Sequence, residues 1–157
     1  MSDLNLPAAA AAVNDSRSGR SEPVTAWQRV WRHGIVPQLS LADLDALRIA
    51  LERDDPTLIQ GATVEPPPLQ QFEDYPVESA CLIAYVGWRS RQLRTVGQVE
   101  EWFAHVCFEA DKSLGEPAVC RWLLNWFDDT PRMAMRGALV AEIEAELARR
   151  CGQGQAA

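Results

Sequence analysis

The fold of this chain is decided by the sequence PVESACLIAYVGWR, residues 76–89. Its central part, residues 80–88, carries no charged side chain. Apolar residues repeat there at helical spacing and also fill the other sides, which is typical of a helix that is buried all round. The sequence therefore predicts a central helix over 77–89, with Pro76 at its first position. A buried strand over 80–86 is the competing interpretation, and the absence of a second strand pattern nearby favours the helix.

Capping signals and apolar spacing predict further helices on both sides of this segment. Thr95 with Gln98 forms a capping box, and Gly115 is a favoured residue just past a helix end. Gly34 carries the same end signal after the first helix, and Pro37 follows it. The other predicted helices are those over 26–33, 41–53, 96–114, 117–127 and 131–150.

These patterns predict an all-α fold, a compact bundle of five to six helices in one domain. The helices over 77–89 and 117–127 are almost entirely apolar, so we expect them at the centre, with the N-terminal pair packed across them. Residues 1–23 offer no apolar face and are predicted to be a disordered tail, residues 24–151 the helical domain, and residues 152–157 a frayed tail.

A long irregular loop over 61–75 interrupts the helices and contains three consecutive prolines centred on Pro67. Loops of this length in compact domains are usually functional or mobile. Two interpretations stay open for it. One is a structural strap anchored by Leu69 and Phe72, and the other is a partner-binding element that includes Pro67.

Composition limits the classes of partner. The formal net charge is −7, and this charge repels nucleic acid and anionic membranes. No apolar run reaches the length of a membrane helix, and no signal peptide is recognisable, so we expect a cytoplasmic protein. Fourteen arginines accompany a single lysine in an alanine-rich chain, which favours a bacterial gene of high GC content.

The cysteines show no metal-binding or redox spacing. Cys81, Cys107 and Cys120 fall in apolar runs and are predicted to be inert core thiols, whereas Cys151 is expected to be exposed. No cofactor is predicted.

One helical face carries a row of polar residues, Glu101, His105 and Glu109. A histidine between two carboxylates resembles half of a metal site or an acid–base pair. The row lies opposite the apolar face of its helix, so a solvated face is the favoured interpretation.

Arg136 is the one charged residue within the inward stripe of the last helix. A buried guanidinium needs carboxylates, and Asp128, Asp129 or Glu109 are candidate partners. The functional alternative is an anion-recognising arginine in a ligand pocket between the central helices. The residues of that alternative pocket are Arg136, Trp122, Trp126 and His105.

The six tryptophans include three at helix ends or flanks, where an indole ring commonly meets a partner. These are Trp31, Trp88 and Trp102. Trp102 lies at the edge of the apolar face of its helix and is the leading candidate for an interface anchor.

No catalytic, nucleotide-binding or DNA-binding motif is present in the sequence. The sequence therefore favours a small acidic bacterial protein–protein interaction domain without enzymatic activity, such as an adaptor, a regulator or a conflict-system component. Its partner-binding residues would be Trp102, Trp88, Trp31 and Pro67. The alternative is a small enzyme or ligand-binding domain that uses the Arg136 pocket.

Overall fold

The computed structural model describes residues 23–61 and 74–156. Within these ranges the chain forms six α-helices and no β-strand, which confirms the predicted all-α class. No helix in the described part is long and apolar enough to cross a membrane. The helices are α1 (Ala26–Val30), α2 (Leu41–Glu52), α3 (Leu82–Arg89), α4 (Val96–Leu114), α5 (Cys120–Asp129) and α6 (Arg132–Ala156).

The N-terminal helix does not end at Gly34, so that prediction is wrong. The chain continues from α1 through a π-helical turn (Trp31–Ile35) and a 3₁₀ turn (Val36–Gln38). Gly34 is buried in the π-turn, where a Cβ would lie only 3.0 Å from the Cβ of Ala110. Here glycine allows two helices to approach closely instead of ending one of them.

Helix α2 begins with a capping box. The Ser40 hydroxyl accepts the backbone N–H of Asp43 at 3.1 Å, and the Asp43 carboxylate accepts the N–H of Ser40 at 2.8 Å. Two orphan donors of the first turn are thereby satisfied. The buried stripe of Leu44, Leu47 and Leu51 packs α2 against α6 and α3.

The segment over 76–81 is extended, so the predicted start of the central helix at Pro76 is wrong. Ala80 donates its N–H to the carbonyl of Thr57 at 2.9 Å and accepts the N–H of Ile59 at 2.9 Å. These partners are distant in sequence, and they satisfy the backbone groups that a helix would otherwise pair. Helix α3 then begins at Leu82 and is buried, as predicted for a central helix.

Helix α5 is less buried than predicted. It begins at Cys120, and only one face of it is covered, by Cys120, Leu123 and Phe127. Trp122 on the opposite side is 47% exposed. Helix α6 is longer than predicted and runs to Ala156, beyond the expected end near Arg150.

Candidate functional site

The outer face of α4 brings together two of the predicted functional residues, Trp102 and His105. Thr95 and Gln98 form the predicted capping box at its start, and Gly115 ends it in the left-handed conformation at φ 68°. The inner face buries Val99 and Val106 against α3 and the π-turn. The opposite face is consequently turned outward over the length of the helix.

An open cleft of about 370 Å³ lies along this outer face. Its lining combines an indole with polar groups at its rim, an arrangement suited to a side chain of a partner. The lining residues are Leu93, Gln98, Glu101, Trp102 and His105.

Trp102 is held in position from two sides. Its ring lies against Gly87 of α3, where an added Cβ would be 2.7 Å from Cε3 of the indole. The guanidinium carbon of Arg91 is 5.3 Å from the centre of the indole ring, within the range of a cation–π contact. Trp102 is thus a half-buried ring whose orientation is set before any partner binds.

Arg91 connects this ring to a buried carboxylate. Asp43 is 2% exposed and accepts hydrogen bonds from Arg91 Nη2 at 2.7 Å and Ser90 Oγ at 2.6 Å. Burial alone would raise the pKa of Asp43, but hydrogen bonds from Arg91, Ser90 and Ser40 outweigh it, so the pKa lies below its ordinary value. The ionised Asp43 therefore fixes Arg91, and Arg91 supports the wall of the cleft.

Phe108 extends the same face and was not singled out from the sequence. It follows His105 by three residues and Glu101 by seven, and its side chain is 65% exposed. Its position was nevertheless predictable, because a large apolar residue on the polar side of an amphipathic helix is a sequence signal in its own right.

The polar row on α4 is outward, as predicted, at Glu101 and His105, whereas Glu109 is half-buried. Among the described residues no group of three or more histidine, cysteine, aspartate or glutamate side chains is arranged to hold a metal ion.

The remaining candidate partner-binding residues differ in how exposed they are. Trp31 is 1% exposed and lies in the core, so its predicted place at an accessible flank is wrong. Trp88 is half-buried, with its ring edge-on to Tyr85 at 6.0 Å and under the guanidinium of Arg89 at 4.0 Å. Pro67 lies outside the described residues, as does most of the loop over 61–75.

Arg136 does not bind the carboxylates expected for it. Its Nε donates to the carbonyl of Leu51 at 2.6 Å and its Nη2 to the carbonyl of Glu52 at 3.1 Å, and Asp54 lies 3.7 Å away. Arg136 is partly exposed and satisfies the last carbonyls of α2. The prediction failed because helix periodicity does not reveal which helix end a neighbouring side chain reaches.

The other members of the alternative pocket make separate contacts. Trp126 stacks on Trp27 with ring centres 3.6 Å apart, and Trp122 is exposed with Arg121 5.2 Å from its ring centre. His105 lines the α4 cleft. These contacts distribute the residues over three parts of the surface, and His105 shares its cleft with Trp102.

The cysteines follow the prediction in part. Cys120 is buried, Cys81 and Cys107 are half-buried against the core, and Cys151 is exposed. Burial raises the pKa of the Cys81 thiol. The Cys120 thiol donates to the backbone carbonyl of Cys107 at 3.6 Å. Its interaction with the neighbouring Cys107 side chain, together with burial, raises the pKa of Cys120. Cys81 and Cys120 are therefore poor nucleophiles at neutral pH.

Comparison with known proteins gives no further identification. No protein-family model matches the chain, and neither a curated protein nor a solved structure matches it significantly.

Proposed function

We propose that this chain is a small acidic protein–protein interaction domain of the bacterial cytoplasm, without enzymatic activity, acting as an adaptor, a regulator or a conflict-system component. The observation that carries the proposal is the outer face of α4, which carries both the Trp102 cleft and the exposed ring of Phe108. We call this the α4 surface, defined by Leu93, Gln98, Glu101, Trp102, His105 and Phe108.

The exposed phenylalanine supplies an energetic reason for association. An aromatic side chain buries about 150–250 Å², so the 65% exposure of Phe108 leaves roughly 130 Å² in contact with water. At about 25 cal/mol per Å², covering that area contributes about 3 kcal/mol. This is the range of an interface hot spot, where a few aromatic residues carry most of the binding energy.

The Trp102 cleft on the same helix supplies selectivity. Trp102 is pre-positioned by Gly87 and Arg91, so little conformational entropy is lost when a partner packs on it. Glu101 and His105 at the rim offer hydrogen-bonding groups to a polar or basic neighbour of the anchoring side chain. The partner that fits this surface is a protein segment with one apolar anchor flanked by a hydrogen-bond donor.

The contacts of Arg136 favour this proposal over the ligand-pocket alternative. Arg136 donates its hydrogen bonds to the carbonyls at the end of α2. The ring of Trp126 is stacked on Trp27. A ligand pocket that used Arg136 and Trp126 would require both side chains to break these contacts. The described contacts therefore do not support the alternative of an enzyme or ligand-binding domain with an Arg136 pocket.

Affinity capture with matched variants tests the proposal. Phe108→Ser removes the anchor from the α4 surface, whereas Met133→Ser removes an exposed apolar side chain (81% exposed) from α6. We expect Phe108→Ser to reduce capture of a specific partner from the source cell by more than tenfold, because about 2 kcal/mol or more of binding energy is lost. Capture that is equal for the two variants would contradict the proposal.

A further inference from the structure

A second cleft lies far along the chain from α4, between the turns that follow α1 and the C-terminal half of α6. Its volume is about 450 Å³, and it adjoins a smaller hollow of about 170 Å³ with Trp31 and Glu142 in its lining. The larger cleft is lined by Arg32, His33, Val36, Pro37, Glu146, Arg149 and Arg150.

The charges of this cleft are unbalanced in favour of the positive sign. Arg32 forms a bidentate pair with Glu142 at 2.7 and 2.9 Å. Glu146 is shared by Arg149, at 2.6 and 2.9 Å, and Arg150, at 2.7 Å. Three guanidiniums thus face two carboxylates. The surplus cationic charge is notable in a chain whose formal net charge is −7.

The three arginines differ in how many of their guanidinium nitrogens already donate hydrogen bonds. Arg150 directs Nε to Glu146, Nη1 to the carbonyl of Leu39 and Nη2 to the carbonyl of Val36, so it anchors the cleft. Arg32 and Arg149 each donate to a glutamate through Nε and Nη2. Within the described residues their Nη1 groups have no hydrogen-bond partner. Their side chains are 42% and 55% exposed.

The carboxylates orient these donors. Glu142 and Glu146 have only 12% and 13% of their side chains exposed, and each is held by a guanidinium fork. A guanidinium fixed through one edge presents its remaining N–H groups in a defined direction. Arg32 and Arg149 therefore offer two oriented cationic donors at one cleft, next to the exposed Pro37.

We infer that this cleft binds a phosphate monoester with a small organic group. A doubly charged phosphate has enough acceptor oxygens to bind the Nη1 groups of Arg32 and Arg149 together, which a carboxylate does less well. Inorganic phosphate would leave most of the 450 Å³ empty, whereas an organic group fills it against Pro37. The site uses the turns that follow α1 and the helix α6, so it does not depend on the α4 surface.

The variant that tests this inference is Arg149→Gln. Arg149 is more than half exposed, and Glu146 keeps Arg150 as its partner when Arg149 is replaced, so the fold is expected to persist. Arg53→Gln is the matched control, because it removes an exposed arginine at the end of α2, outside the cleft, with the same change in net charge. The melting temperature of each variant is measured alongside binding.

Titration of the full chain with phenyl phosphate, followed by NMR of the arginine Nε–H groups, is the measurement. We expect saturable binding that moves the Arg32 and Arg149 signals, weakens about tenfold or more in Arg149→Gln and is unchanged in Arg53→Gln. Benzoate is expected to bind more weakly. A phosphotyrosine peptide, titrated in parallel, distinguishes a phosphorylated side chain from a free small molecule as the source of the phosphate.

Three results would overturn the inference. One is the absence of saturation by either phosphate up to about 10 mM. Another is equal weakening by Arg149→Gln and Arg53→Gln, which indicates unspecific charge attraction. The third is unaltered binding in a folded Arg149→Gln variant.

Discussion

Replacing Asp43 with alanine tests the network that connects α2 to the α4 surface. Asp43 accepts three hydrogen bonds, from Ser40 N–H, Ser90 Oγ and Arg91 Nη2, and its carboxylate is almost fully buried. Hydrogen bonds to a charged group contribute about 1.5–3 kcal/mol each when water is excluded. Ser40 and Arg91 are partly exposed, which reduces their share. We therefore expect Asp43→Ala to lower the free energy of unfolding by about 3 kcal/mol.

Thermal unfolding followed by circular dichroism at the helix band measures this loss. For a domain of this size, 1 kcal/mol corresponds to about 2–4 °C in melting temperature, so a decrease of about 6–12 °C is expected. Asp45→Ala is the control, because Asp45 lies on the same helix and pairs with Arg48 at the surface. Its expected cost is less than about 1 kcal/mol. The reasoning is refuted if the two variants lose the same stability.

The pH dependence of this loss gives a second check. Because the pKa of Asp43 is lower in the folded chain than in the unfolded one, the ionised form favours folding. Its contribution is complete above the unfolded pKa of about 3.9 and is lost as the pH falls through the folded pKa. The stability difference between wild type and Asp43→Ala is thus expected to be constant from about pH 7 to pH 5 and to shrink below about pH 4. A difference that grows in acid would contradict the charge assignment.

Three other outcomes are expected. Gly87→Ala places a Cβ 2.7 Å from the Trp102 ring. It should therefore lower the free energy of unfolding by about 1–3 kcal/mol and change the tryptophan fluorescence. An unchanged fluorescence spectrum would refute the contact. A thiol reagent should modify Cys151 in the native chain and Cys120 only after denaturation, as mass spectrometry of the labelled peptides would show. Arg136→Met should cost about 1–2 kcal/mol in urea unfolding, since the last carbonyls of α2 lose their donors, and it should leave partner capture intact.

Much of the fold was predictable because its signals are local. The capping boxes at Ser40 and Thr95 and the left-handed Gly115 each satisfy backbone groups within a few residues, so sequence alone locates them. Gly34 was misread because glycine at a helix end and glycine at a close helix contact look identical in sequence. The extended segment before Leu82 was missed because its hydrogen-bond partners are distant in the chain.

The candidate site was predictable in part for the same reason. The position of Trp102 at the border of an apolar face follows from the helical periodicity of the sequence. The outward position of His105 follows from the same periodicity. The burial of Trp31 did not follow, because spacing shows which residues share a face and not which neighbour covers it. The contacts of Arg136 with the end of α2 likewise depend on tertiary packing.

The most direct test of the α4 surface is site-specific photo-crosslinking in the source cell. A benzophenone amino acid is placed at Phe108 in one variant and at Met133 in the other, two exposed apolar positions on different helices. The proposal predicts one discrete protein adduct from position 108, absent from position 133 and lost when Trp102 is also replaced by alanine in a variant that remains folded. No adduct at position 108, or the same adducts from both positions, would contradict it.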